Sequence, residues 1–96
     1  MVIQNIIHKG LRQLILADDS SGIPTVVAEK IRCMVSFLQD MSDIEEIKAI
    51  PSWKAHQLIG QRNGTWSLTV TKNWRLTFKV DHSNQHILDL NYEDYH

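Results

Sequence analysis

The sequence predicts an α+β fold: an N-terminal strand, two antiparallel helices, and a mainly antiparallel sheet built from a C-terminal four-strand meander. Three features point to it. Val2 to Ile7 is a β-rich run with no breaker, suited to an internal strand. Residues 8–41 carry apolar side chains at helical spacing, in two blocks separated by Asp18-Asp19-Ser20-Ser21-Gly22. After Pro51 the apolar period changes to two and stays there.

Each element follows from its local pattern. His8 to Ala17 reads as a helix with an apolar stripe at Leu11, Leu14, Ile15 and Leu16. Pro24 suits the first turn of a second helix running to about Asp40. Val27, Ile31, Met34, Val35, Leu38 and Met41 fall on one side of that helix. Cys33 lies within the same apolar pattern and is expected to be a buried thiol. Ser42-Asp43-Ile44-Glu45 has capping-box spacing and predicts a short helical turn ending before Pro51. Ala55 to Ile59 is a candidate strand, and Gly60 to Gly64 a turn with the Asn63-Gly64 hairpin signal. Thr65 to Thr71 and Trp74 to Val80 alternate cleanly, Asp81 to Gln85 is the next turn, and His86 to Leu90 the last strand.

The alternation also constrains how the central hairpin pairs. A two-residue loop at Lys72-Asn73 would set Val70 beside Arg75 on one face. An odd-length connection, Lys72-Asn73-Trp74, pairs Thr71 with Arg75 and Val70 with Leu76 and turns every apolar side chain to the core. The opposite face then carries Ser67, Thr69, Thr71, Arg75, Thr77 and Lys79. Hydroxyls and cations together make a surface suited to phosphates.

Ninety-six residues suffice for one core, so residues 1–96 are read as a single domain. No stretch approaches the roughly 18 consecutive apolar residues of a membrane helix. The N-terminus lacks the basic head of a signal peptide, which leads to a cytoplasmic expectation with no membrane partner. One cysteine excludes an internal disulfide. The net charge of −1 hides an asymmetry, because Ile47 to Val80 contains no acid but includes Lys48, Lys54, Arg62, Lys72, Arg75 and Lys79. A nearly neutral chain can thus present a basic face.

The five histidines do not have metal-ligand spacing, so neither metal nor cofactor is expected. No serine sits in a nucleophile elbow, and Gly60 and Gly64 do not form a phosphate loop. RNA cleavage by acid–base chemistry fits the residue types better. It needs a base for the 2′-hydroxyl, an acid for the departing 5′-oxygen, and cations for the phosphorane charge. His56 and the terminal Asp94, Tyr95 and His96 could handle protons; Arg62, Arg75 and Lys79 could hold phosphate. Trp66, Trp74 or Tyr92 could stack on an unpaired base. The plainer reading makes Trp66 a core residue, Trp74 a turn anchor, and Asn91 to His96 an acidic aromatic tail packing on its own domain.

Several motifs occur in an order that resembles the HigB-type toxins of the RelE/ParE superfamily, also called plasmid maintenance system killer proteins. They are His8-Lys9-Gly10-Leu11, then His56-Gln57-Leu58-x-Gly60-x-Arg62-x-Gly64-x-Trp66-Ser67, then Asn73-Trp74-Arg75-Leu76-Thr77-Phe78, and Asn91-Tyr92-Glu93-Asp94-Tyr95-His96. The resemblance implies a RelE-like fold and a bacterial toxin that cuts mRNA in the ribosomal A site. It implies neutralisation by a HigA-type helix-turn-helix antitoxin. On matched positions His56, Asp94, Tyr95 and His96 would be catalytic and Arg75 would hold the scissile phosphate, with Arg62 and Asn73 orienting substrate or loops. The family often has a lysine where this chain has Ile59, a change that removes a cation; either Lys54, Arg62 or Lys79 substitutes, or the protein cuts slowly. Two other readings remain open at this point: an antitoxin-binding module with little nuclease activity, or a ParE-like action on DNA gyrase.

Overall fold

The computed structural model describes residues 1–95, so His96 lies outside the described residues. In chain order the elements are strand β1 (Val2–Ile3), helix α1 (Lys9–Ala17), helix α2 (Thr25–Asp40), 3-10 helices at Ile44–Ala49 and Pro51–Trp53, and strand β2 (His56–Gln57). A 3-10 turn at Gly60–Arg62 follows, then strands β3 (Trp66–Thr69), β4 (Trp74–Asp81) and β5 (His86–Asp94). One five-stranded sheet runs in the order β1-β5-β4-β3-β2. Strands β2 to β5 form the expected antiparallel meander, and β1 adds parallel to β5. Among the described residues no helix is long and apolar enough to cross a membrane.

Helix α1 starts where His8 caps it: the His8 Nδ1 accepts the Leu11 N–H at 3.0 Å. Accepting there requires a neutral ring, and burial lowers the His8 pKa, which favours the same form. Gly10 belongs to the sheer closeness of α1 and the connector before α2. A Cβ at Gly10 would stand 2.3 Å from the Gly22 carbonyl oxygen, so only glycine permits the approach. The α2 stripe is buried as expected, at Val27, Ile31, Met34, Val35, Leu38 and, just past the helix, Met41. Cys33 is exposed, a correction to the buried-thiol expectation. It sits two residues from Ile31 and Val35, about 200° around the helix, which points it away from the stripe.

The capping box is also one residue later than the spacing suggested. Asp43, rather than Ser42, caps the Ile44–Ala49 turn; it accepts the Glu45 N–H at 2.9 Å, while Glu46 accepts the Asp43 N–H at 2.8 Å. Glu46 accepts the Ser42 N–H as well, so both candidate caps converge on one carboxylate. The strands at either end are shorter than the sequence runs. β1 stops at Ile3, with a separate bridge from Ile6 to Leu90, and β2 spans only two residues. The Asn63-Gly64 pair does not form a two-residue hairpin; a 3-10 turn occupies the connection and Leu58 N–H donates to Thr65 O at 2.8 Å.

The β3–β4 connection is odd in length, as the alternation required, but its register is displaced by two residues. Leu68 faces Leu76 and Thr69 faces Arg75, and Val70 N–H donates to Trp74 O. A two-residue displacement leaves every face unchanged, which is why the pattern could determine the faces without determining the partners. Trp66, Leu68, Val70, Leu76 and Phe78 accordingly all lie in the core.

Strand β5 carries an irregularity that the alternation of its residues does not signal. Thr77 pairs with Asn91 but Lys79 pairs with Leu88, so Asp89 and Leu90 together face Phe78. Asp89 takes a left-handed backbone at φ 55°. Asn5 clamps the extra residue, donating from Nδ2 to the Asp89 carboxylate at 2.8 Å and accepting the Asp89 N–H at 2.9 Å. The Leu90 N–H donates to the Asn5 carbonyl at 3.2 Å. Without the bulge, the alternation that buries Ile87 would also turn residues 91, 93 and 95 inward. With it, Leu90 and Tyr92 are buried and Asn91, Glu93 and Tyr95 face outward. Asn5→Ala removes both side-chain bonds to Asp89 and should cost about 1–2 kcal/mol of stability. Urea denaturation of the purified variant checks this, and an unchanged midpoint would count against the clamp.

Candidate active site

The outward row of β4 and β5 organises the site. Arg75 and Glu93 are direct cross-strand partners, as are Thr77 and Asn91, and Ser67 pairs with Thr77 from β3. Opposite residues in such a ladder share a face. Arg75 and Glu93 nevertheless do not bond each other. The Arg75 guanidinium turns to the hairpin loop, donating to the carbonyls of Thr71 (2.6 Å), Lys72 (3.1 Å) and Trp74 (3.1 Å). The Tyr95 ring lies over it, 3.9 Å from guanidinium carbon to ring centroid. Tyr95 is held from its backbone too, its N–H donating to Asn73 O at 2.6 Å. The tail is therefore pinned to the β3–β4 hairpin at two points.

Glu93 is taken by Arg62 in a bidentate pair, with bonds of 3.0 and 2.6 Å, and by the Thr77 hydroxyl, which donates to the same carboxylate. Burial works to raise the Glu93 pKa, but the hydrogen bonds from Arg62 and Thr77 and the Arg62 charge outweigh it and hold it below the ordinary glutamate range. Arg62 is half exposed and Glu93 about a quarter. In that setting the pair stabilises the fold by on the order of 1 kcal/mol or less. Among the described residues the basic face thus divides. Lys48 and Arg62 are neutralised by Glu45 and Glu93, whereas Arg75, Lys54 and Lys79 have no carboxylate partner.

Two cavities flank the Arg62–Glu93 bridge. The smaller, about 80 Å³, is lined by Leu58, Ser67, Arg75, Asp94 and Tyr95. The larger, about 210 Å³, is lined by Gln61, Lys79, Asp89 and Asn91. Arg62, Thr77 and Glu93 line both. The smaller space can hold a group a few water molecules in size, with the Arg75 guanidinium on its wall.

The expected site residues are brought together only in part. Arg75, Asp94 and Tyr95 share the smaller cavity, and Arg62 borders it. Lys79 lies along the same face beside the larger one. His56 pairs with Ser67 at the β2 edge, separated from β5 by two strands, about 14 Å across the sheet. Its Nδ1 is 2.8 Å from the Lys54 carbonyl oxygen, so it belongs to the outer face but sits at its far margin. Lys54 is exposed in a left-handed conformation just before it. Asn73 contributes its carbonyl to tail docking, and its side chain is exposed. His96 is outside the described residues.

Two expectations need correction. The hydroxyl face is not open to solvent, since Ser67 and Thr77 are buried. The Arg62–Glu93 bridge and the 58–65 connection lie over this part of the sheet. Tyr92 is not a free stacking platform either: it is buried, stacked on Trp74 at 4.6 Å and edge-on to His8 at 5.5 Å. Burial raises its phenol pKa, which removes it from proton transfer near neutral pH. Sequence reasoning missed Glu93 as the partner of Arg62; an acid within a tail offers no signal of which cation, thirty-odd residues upstream, it will meet.

A sequence model of the family described as RelE-like toxin of type II toxin–antitoxin system HigB matches residues 4–96 of the chain. The chain is also 37% identical, over 95 residues, to a Proteus vulgaris protein named Endoribonuclease HigB, a match covering 99% of this chain and 100% of that protein.

The Glu93 environment gives a signed pH dependence. Its folded pKa is depressed, so its contribution to stability is present above the unfolded value of about 4.3 and is lost as pH falls through the lower folded value. Glu93→Gln should therefore lose stability less steeply than the parent below about pH 4. Parallel urea melts across that range test it, and identical acid limbs would contradict the assignment.

Proposed function

This chain belongs to the HigB family of RelE-like toxins from type II toxin–antitoxin systems, and on that premise we propose that it is an endoribonuclease cutting mRNA on the ribosome. The 2′-hydroxyl attacks the adjacent phosphorus and the P–O5′ bond breaks. The products are a 2′,3′-cyclic phosphate and a 5′-hydroxyl, the proton lost by the nucleophile being balanced by one delivered to the leaving oxygen. No metal is required. Asp94, Tyr95, His96 and His56 form the proton-handling set, and Arg75 holds the scissile phosphate.

The observation that best supports this reading is the state of Arg75. Three carbonyls and an aromatic face fix its direction, and no carboxylate among the described residues neutralises it. A guanidinium fixed by neutral carbonyls, with no described carboxylate bonded to it, beside a small cavity is suited to charge that develops on a phosphorane. Lys54 and Lys79, with Asn73 at the hairpin tip, extend the contact to RNA or ribosome along the same side. His56, at the far margin, reaches the reacting group only if the RNA strand crosses β3 and β4. The partner that restrains the toxin is a HigA-type helix-turn-helix antitoxin, and the setting is the bacterial cytoplasm.

Inducing the chain without antitoxin should arrest growth and create new mRNA 5′ ends within translated codons, read by primer extension. Deleting Tyr95 and His96, or Arg75→Ala, should reduce cleavage at least about 100-fold while leaving a folded protein by circular dichroism. Full cleavage by the truncated chain would remove the tail from the mechanism.

Ile59 favours a second reading, an antitoxin-binding module with weak nuclease activity. It is 90% exposed, so no packing demand explains an isoleucine there. Ile59→Lys should change stability by no more than about 0.5 kcal/mol. A strong rise in mRNA cleavage would identify an attenuated enzyme, and no rise would favour the module.

A further inference from the structure

Glu93 has a cation directly across the ladder, Arg75, yet bonds a different one, Arg62, together with the Thr77 hydroxyl. A carboxylate gripped by a guanidinium fork and a hydroxyl occupies the kind of site that a phosphate occupies, because both anions offer paired oxygens to the same donors. The site stands next to the proposed scissile-phosphate position. Arg75 and Thr77 lie two residues apart on β4, about 7 Å, which is about the reach of one sugar–phosphate unit.

We propose that Arg62 and Thr77 form a second RNA-phosphate site, adjoining that at Arg75, and that Glu93 occupies it as an internal stand-in until the RNA backbone displaces it. The inference rests on the ribonuclease reading above and adds to it a second subsite and a competitor. Displacement is physically easy. The pair is half exposed at Arg62, so releasing it costs little. Cavities lie on both sides of the bridge, leaving the Glu93 side chain room to swing and the strand room to continue from Arg75 towards Lys79. In the absence of RNA, Glu93 satisfies the Thr77 hydroxyl, which would otherwise be buried without an acceptor.

The test is binding of a short, non-cleavable 2′-O-methyl RNA at low salt, measured by fluorescence anisotropy on the parent, Glu93→Gln, Arg62→Ala and the double variant. Glu93→Gln should bind about fivefold tighter, the ratio expected for releasing one exposed ion pair. Its salt dependence should stay close to the parent's, because RNA contacts Arg62 through the same phosphate in both once Glu93 is displaced. The gain in affinity should vanish in the Arg62→Ala background. An equal gain with and without Arg62 would mean simple charge removal and would overturn the proposal, as would no gain at all. In the parent protein, the Arg62 Nε–H and Glu93 carboxyl resonances should move on adding the same RNA, a readout that does not depend on any variant folding. Resonances that stay fixed while that RNA binds, with mRNA still cleaved on induction, would sink the second site and leave the nuclease reading standing. Absence of RNA binding in every variant, with no mRNA cleavage on induction, would remove both.

Discussion

One extra residue in β5 decides which side of the sheet the C-terminal segment serves. Asp89, in its left-handed conformation and clamped by Asn5, resets the alternation between Ile87 and Leu90. Upstream of it the strand buries Ile87; downstream it buries Leu90 and Tyr92 and turns Asn91, Glu93 and Tyr95 outward. A regular strand would have placed Glu93 and Tyr95 over the apolar core, where an ionised carboxylate is strongly disfavoured. The bulge is therefore the condition for both the core and the site, and it is held from the other end of the chain.

The same strand links these two roles energetically. Tyr92 is stacked on Trp74 and closes the core at one end of the hairpin, while its neighbours Glu93 and Tyr95 meet Arg62 and Arg75 on the other face. Burial of a large aromatic stabilises by more than an exposed ion pair does. The core contact thus anchors the tail, and the ionic and cation–π contacts aim it. In the proposed reaction this leaves the polar groups free to exchange partners with RNA at little cost to folding, with Arg75 poised and Arg62 masked.

Legibility from the sequence followed the physics of each signal. Helix α2 is legible because six apolar positions at one spacing must all be buried together, whereas Cys33 lies within the same apolar run but two residues off that stripe, and so faces outward. The capping box was misplaced by one residue because Ser42 and Asp43 are both competent caps with a glutamate three residues on. The β3–β4 faces were right and the partners displaced by two residues, since the apolar pattern repeats every two. Motif order singled out Arg75 and the tail as candidates, and Arg75, Asp94 and Tyr95 line one cavity. The distance of His56, the burial of Ser67 and Thr77, and the claim of Arg62 on Glu93 were not recognisable, because each depends on how distant segments cross.

By itself the sequence determined the α+β class, the meander and the core-facing sides of α2, β3 and β4, because burial and periodicity are local properties repeated along the chain; the family resemblance came separately, from motifs occurring in order. Tertiary structure alone decided the bulge at Asp89, the close approach of Gly10 to Gly22, and the pairing that neutralises one arginine and spares the other. Each of those is a contact between segments distant in the chain, or a backbone conformation held by one, and no short stretch of residues encodes its own partner.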